Sequence, residues 1–330
     1  GTVSTIVEGV TDVTLPVVDA TLAGLDRAGL SASVRLDARD QVLRDLEINL
    51  GGQTLRGSVS RSVRPEATAT VVDLRGEAID AEPFRALAET ASSFRTSNER
   101  LDVQFSAHPF RYRSVAAETL ETDFTLASGV LDISTLDAKG LAGTDLHLEG
   151  TVSGIGTVPK PDVSLQLSSD QPERFAAFLR SQWPDNPLVD AFGARSGALG
   201  PMSLQGTIET LNPNADASLV AAFEGKAGGT DLNVRLALEN GLAAATENGR
   251  FGLDATFGNA DPTVLLQQVG LPVLPTGVPG PLHLTLTSSG SPNEATTLSL
   301  EARAPGSNAS ANGTVVFGPS GLRSVDTRLT

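Results

Sequence analysis

The residues able to do chemistry are few and scattered. His108, His147 and His283 are the imidazoles of the chain. His147 and His283 fall on the polar phase of alternating, strand-like runs. No Cys, His or carboxylate cluster around them has metal-ligand spacing. They read as solvated strand residues, and no metal is expected. A Gly-x-Ser-x-Gly elbow, a phosphate loop and a dinucleotide fingerprint are all missing. Asn212, Asn214 and Asp216 open like a calcium loop, but the central Gly and the distal Glu do not follow at the required offsets. That stretch reads as an Asn- and Pro-rich turn. Asn308-Ala-Ser310 and Asn312-Gly-Thr314 are glycosylation sequons, which matter only in a eukaryotic secretory setting. Paired carboxylates for sugar hydrolysis are a spatial arrangement, yet aromatics make up only 4% of the chain, too few for a sugar-stacking cleft. The expectation is a protein without enzymatic activity and without a cofactor.

Composition narrows the partners. The net charge of −15 opposes nucleic-acid binding, which needs a basic face, and disfavours docking on anionic headgroups. Cysteine is absent, which removes disulfides and thiolate metal sites. No apolar run is long enough to span a bilayer as a helix, and no signal peptide is evident. The sequence starts at Gly1 and ends on Arg328-Leu329-Thr330 within a strand-like run. It reads as an internal piece of a larger protein, with any anchor lying outside it.

The elements that must position these residues are strands. Period-two alternation recurs at Leu101/Val103/Phe105, Leu120/Thr122/Phe124/Leu126, Leu146/Leu148, Val163/Leu165/Leu167 and Leu232/Val234/Leu236/Leu238. It continues at Phe251/Leu253/Ala255/Phe257, Leu282/Leu284/Leu286 and Leu298/Leu300. Such runs carry one apolar and one polar face. Ser128-Gly129, Lys139-Gly140, Asn240-Gly241 and Asn312-Gly313 read as hairpin turns. Helical signals occur where Asp80, Asp170 and Asp261, 90 and 91 residues apart, each end a strand-like run. Asp170 reads as an N-cap with Glu173 in capping-box spacing, followed by a face of Phe175, Phe178, Leu179 and Trp183. Asp261 caps a helix with Pro262 at its first position and Val264, Leu265 and Val269 on its face. Asp80 precedes Phe84, Leu87, Ala88 and Ala91. Two further echoes align: Gly197–Leu204 with Gly277–Leu284, and Ala142-Gly-Thr-Asp-Leu with Gly228-Gly-Thr-Asp-Leu. A long fixed period marks repeated supersecondary units. Approximate units are 1–92, 93–181, 182–271 and a partial 272–330. The fold class is mainly β: an elongated, curved antiparallel sheet with a few short capped helices.

The apolar face has two readings at this point. In one, two sheets bury their faces against each other as a sandwich or closed β-solenoid, acting as a structural or adhesin array. In the other, a curved sheet leaves an apolar trough open. A third possibility is an outer-membrane protein assembly factor that works through free strand edges.

The stretch 115–180 carries a family likeness. Val115–Leu126, Gly129–Gly140, Leu141–Val152 and Pro161–Leu167 are short alternating strands closing on Gly, in the cadence Leu-x-Leu-x-Gly-x-Val. This resembles the C-terminal region of the AsmA-like family, which includes the TamB-type proteins of Gram-negative bacteria. A weaker version extends over residues 60–317. The resemblance implies a repeating β-groove lipid transfer protein, tethered to the inner membrane by an N-terminal helix outside this piece. Such a protein reaches through the periplasm toward an outer-membrane partner and carries phospholipid along a taco-shaped trough. Acyl chains would lie against Leu101, Val103, Phe105, Phe124, Leu126, Ile133, Leu146, Leu148, Val163, Leu165 and Leu167 in the first half. In the second half the floor would be Leu219, Phe223, Leu232, Val234, Leu236, Phe251, Leu253, Leu284 and Leu286.

Overall fold

The structure is a computed structural model that describes residues 29–37, 39–50, 52–82, 99–113, 115–184, 187–211, 218–239, 249–269, 280–291, 295–318 and 321–329. The fold is mainly β, with three short helices among the described residues. Two compact units divide it, residues 1–142 and 143–330.

Unit 1 contains β1 (Gly29–Leu36), β2 (Asp40–Leu50), β3 (Gln53–Val63), β4 (Thr68–Asp80), β5 (Glu99–Tyr112), β6 (Val115–Ala117), β7 (Thr119–Ala127) and β8 (Val130–Leu141). β1 to β4 form an antiparallel meander. β4 and β5 then pair in parallel, with Val72 beside Val103 and Leu74 beside Phe105. The sequence reading expects a mostly antiparallel meander, and this pair is a parallel step within it. The difference follows from connection length, because a parallel return needs a dozen or more linking residues and 81–98 supply them. β7 pairs with β5 and β8 with β7, while the short β6 pairs only with the tip of β5.

Unit 2 is antiparallel throughout. It runs β9 (Thr144–Ser153), β10 (Lys160–Ser169), β11 (Met202–Leu211), β12 (Ser218–Ala227), β13 (Thr230–Leu238) and β14 (Phe251–Asn259), then β15 (Leu282–Gly290), β16 (Ala295–Ala304), β17 (Ser307–Gly318) and β18 (Gly321–Leu329). Each strand pairs with the next. Helices α1 (Pro172–Gln182) and α2 (Pro187–Arg195) lie between β10 and β11, and α3 (Pro262–Val269) lies between β14 and β15. Ser169 faces Met202 and Asn259 faces Leu282 across the ladder, so both helical excursions leave and rejoin the sheet at the same strand end.

Several sequence expectations change. Gly140 lies inside β8 and Asn312-Gly313 inside β17. The turns sit instead at Ala142-Gly143, with φ of 50° and 78°, and at Pro305-Gly306. Ser128-Gly129 turns as expected, with both residues at positive φ. Asp170 does not cap α1. Pro172 fixes the first helical position, which makes Gln171 the flanking residue, and no side chain caps it. The Ser169 hydroxyl accepts from the Gln171 N–H instead. Trp183 follows the end of α1 and is 55% exposed, whereas Phe175 packs between Phe178 and Phe192. Asp261 does cap α3, its Oδ1 accepting from the Thr263 N–H at 2.8 Å. Asp80 accepts from the Glu82 N–H in the same way. Phe84, Leu87, Ala88 and Ala91, the Asn212–Asp216 turn, Asn240-Gly241 and most of the Pro/Gly-rich 271–281 connection lie outside the described residues.

The second sequence echo becomes a repeated device in three dimensions. Thr144 and Thr230 each open a strand after a turn with matching φ values, and each is 1% exposed. Ser169, the ladder partner of Thr144, and Asn259, one residue beyond the Asp231–Gly258 pair, each end the strand before a helix. The Ser169 hydroxyl donates to the Gly143 carbonyl, and Asn259 Nδ2 donates to Thr230 Oγ1 at 2.7 Å. Around Thr230 the network is complete. Its hydroxyl donates to Gln268 Oε1, and Gln268 Nε2 donates to the carbonyls of Ala198 and Ala227. Thus α3 is stitched to the turn before β13 and to the segment before β11. Counting from the helix prolines, Phe178 occupies the place of Gln268, and the buried Thr144 hydroxyl has no hydrogen-bond partner among the described residues. The two threonines should therefore respond oppositely to removal of the hydroxyl. Urea unfolding of Thr230→Val is expected to show a loss of about 1–3 kcal/mol, and of Thr144→Val no loss or a small gain.

Candidate functional site

The site is a face rather than a pocket. In unit 1, Val34, Leu43, Val59, Val72, Val103, Phe124 and Ile133 are successive cross-strand partners from β1 to β8. Beside them Leu101 partners Leu126, and Phe105 lies next to Leu74. In unit 2 one row runs Leu148, Leu165, Gly206, Phe223, Val234, Ala255, Leu286, Leu300 and Ala311. A second runs Leu146, Leu167, Leu204, Gly225, Leu232, Phe257, Leu284, Ala302 and Ala309. A third links Val163, Ile208, Ala221, Leu236 and Leu253. Leu219, Leu238 and Phe251 extend a fourth. At about 4.8 Å between strands, nine strands give an unbroken apolar strip of about 38 Å.

All the residues expected from the sequence to form the floor therefore share one face within their own unit. The rows add Leu204 and Ile208 of β11, and in unit 1 Leu43, Val59, Val72 and Leu74. These lie in less regular sequence, and only their register reveals them. The reverse face is polar in the same order: His147, Gln166, Gln205, Glu224, Asn233, Thr256, Thr285, Glu301 and Ser310 are cross-strand partners.

Most of the apolar face is half-buried. Of the floor positions, Val163, Leu219 and Leu284 are buried and the rest retain partial exposure. Within each unit the closest backbone approaches among the described strands are those of in-plane neighbours. A sandwich would bury these positions almost completely. At one end of unit 2 the face is closed. Leu265 of α3, fully buried, packs with Leu282 and Leu284, flanked by Phe257, Leu266 and Ala302.

Two glycines bend the floor. Gly150 (φ +128°) and Gly225 (φ +146°) hold conformations that L side chains rarely adopt. A Cβ there would sit 2.3 Å from the Asp162 carbonyl oxygen and 2.1 Å from that of Ser203. Glycine kinks of this kind curve sheets.

The shifted ionisable groups lie away from the floor. Asp102, on the polar face, is held below the usual carboxylate range by its hydrogen bond from Arg100, whose own value is raised in return. Glu47 is lowered by hydrogen bonds from Asn49 and Arg56, and Asp37 by the backbone N–H groups of Arg39 and Asp40. Among the described residues no group of three His, Asp or Glu is placed to hold a metal.

One polar cluster does interrupt the apolar face. Glu99 is in phase with Leu101, Val103 and Phe105 on β5. It lies at the end of unit 1 opposite Asp80. Arg61 Nε donates to its Oε1 at 3.1 Å, and Thr70 Oγ1 donates to the same oxygen. The Glu99 side chain is 4% exposed and that of Arg61 33%. The phase of Glu99 was readable in the sequence. The position of Arg61 depends on the β3–β4 register and was not.

No family model, curated protein or solved structure matches this chain.

The glycine kinks give a direct test of how the floor is built. Gly225→Ala is expected to lower stability by more than about 2 kcal/mol. Gly252→Ala in β14 meets nothing within 4 Å of the added methyl and should change it by under about 1 kcal/mol. Denaturant midpoints of the two variants make the comparison.

Proposed function

We propose that the apolar face carries lipid acyl chains, and that this chain is a segment of a lipid conduit between the two membranes of a Gram-negative envelope. The observation that carries the reading is the set of apolar cross-strand rows within each unit, most of whose described members keep partial exposure. An ordinary soluble β-protein hides such a face, and contiguous exposed apolar area of this extent marks a binding surface. The resemblance of residues 115–180 to the AsmA-like family adds the compartment and the phospholipid substrate. A tether in the inner membrane and an outer-membrane partner belong to the same reading, through segments outside this sequence.

The physics suits transfer better than storage. Each methylene removed from water contributes about 0.8 kcal/mol, so a long chain gains on the order of 10 kcal/mol gross. The floor is aliphatic and repeats every strand, so successive positions along a row offer similar burial. A lipid therefore moves from strand to strand without leaving a deep minimum. The headgroup stays in water. The acidic exterior limits adhesion to anionic membranes.

Native mass spectrometry of the purified protein, with lipid extraction from a parallel sample, is the test. The expected result is co-purifying phospholipid at one or more molecules per chain. Leu165→Glu and Val234→Glu should lose that lipid while keeping the unfolding midpoint close to wild type, because both positions are already partly exposed. A folded, lipid-free wild type overturns the reading. So does unfolding by both charged variants, which is the behaviour of a dry sandwich core.

A further inference from the structure

We infer that Arg61 is a headgroup contact, binding the phosphate of a lipid whose chains lie on the floor of unit 1. The inference rests on the lipid reading above. A charged residue on an apolar face is expensive unless paired. Here the pairing is one-sided. Glu99 is almost fully buried and receives hydrogen bonds from both Arg61 and Thr70. Arg61 spends only its Nε on that carboxylate. Its two terminal nitrogens make no other hydrogen bond among the described residues, and a third of the side chain remains exposed. Glu99 and Thr70 thus act as positioning residues that aim the outer edge of the guanidinium along the face.

The location fits an amphiphile. Arg61 sits two residues along β3 from Val59, a member of the apolar row that includes Val103. Thr70, its ladder partner, lies beside Leu101. Going toward the strand end, the face changes from Val59, Val72 and Val103 to Arg61, Thr70 and Glu99. A lipid laid along the strands places its chains on the first group and its phosphate at the second. A planar guanidinium with two free nitrogens matches phosphate oxygens. The partner charge on Glu99 holds the local net charge near zero, which keeps the contact weak enough to release.

The test reads occupancy at one place. A photo-reactive residue introduced at Val103 of the full chain is crosslinked in the presence of phosphatidylethanolamine or of diacylglycerol with identical chains. The expected result is about tenfold more phosphatidylethanolamine adduct at equal lipid. Arg61→Met/Glu99→Met replaces the pair by apolar side chains of similar length, a change that buried ion pairs tolerate. It should retain diacylglycerol adducts and bring the ratio near one. Arg61→Lys, which keeps charge but not the fork, should fall between. An unchanged preference in the double variant, or none in the wild type, overturns the inference while leaving lipid binding intact. Full competition by glycerophosphate, which has no chains, also overturns it, because the site would then be a free-anion site. Absence of either adduct in the wild type sinks the lipid reading at this unit, and the headgroup contact with it.

Discussion

Everything in this molecule depends on strand register. In a sheet with one apolar and one polar face, a shift of one residue would exchange the two faces of a strand. In unit 2 the register holds without a shift from β9 to β17. Leu165 meets Leu148 and Gly206, Val234 meets Phe223 and Ala255, and Leu286 meets Ala255 and Leu300. The polar partners on the reverse face keep the same order. Cross-strand contacts of this kind contribute about 0.2–1 kcal/mol each, and in unit 2 their alignment joins the nine strands β9 to β17 into continuous apolar rows.

The turns and helix plugs serve that register. Matching positive-φ turns at Ala142-Gly143 and Gly228-Gly229 set the start of β9 and β13, and Ser169 and Asn259 tie them to the strand before each helix, through the Gly143 carbonyl and the Thr230 hydroxyl. Gln268 then ties α3 to two separate turns. Because these ties gather at one strand end, that end is sealed by Leu265 and its neighbours. At the other end of the same unit Leu211, Ile155 and Val158 remain exposed.

Much of this was legible in the sequence, for a physical reason: a half-buried strand writes its faces in period two, as Leu232-x-Val234-x-Leu236 does. What the sequence did not show is equally physical. Lys139-Gly140 and Asn312-Gly313 have turn chemistry, but glycine also relieves crowding inside a strand. At Gly140 the space a Cβ would need is taken by the Glu118 side chain. Asp170 has the right type for a cap and stands one residue too early, because Pro172 sets the helix start. The parallel step from β4 to β5 leaves no periodic trace, since alternation is the same for either strand direction. Leu43 and Leu46 share a face despite odd spacing because a bulge intervenes, which hid the unit 1 rows from a period-two reading.

Arg61 and Glu99 show why the apolar rows alone are an incomplete description of the face. A purely aliphatic floor treats every chain alike and has no preferred orientation for an amphiphile. A buried carboxylate changes that at small cost, because its charge is met by a guanidinium and a hydroxyl. The guanidinium is then fixed at the border between greasy and wet surface. On the proposed lipid reading, the polarity of the strand end becomes a coordinate for the ligand, with chains toward Val72 and Val103 and the phosphate toward Arg61. The same register that aligns valine with valine across β3, β4 and β5 brings Arg61, Thr70 and Glu99 together, so the floor and its polar margin are consequences of one set of strand pairings.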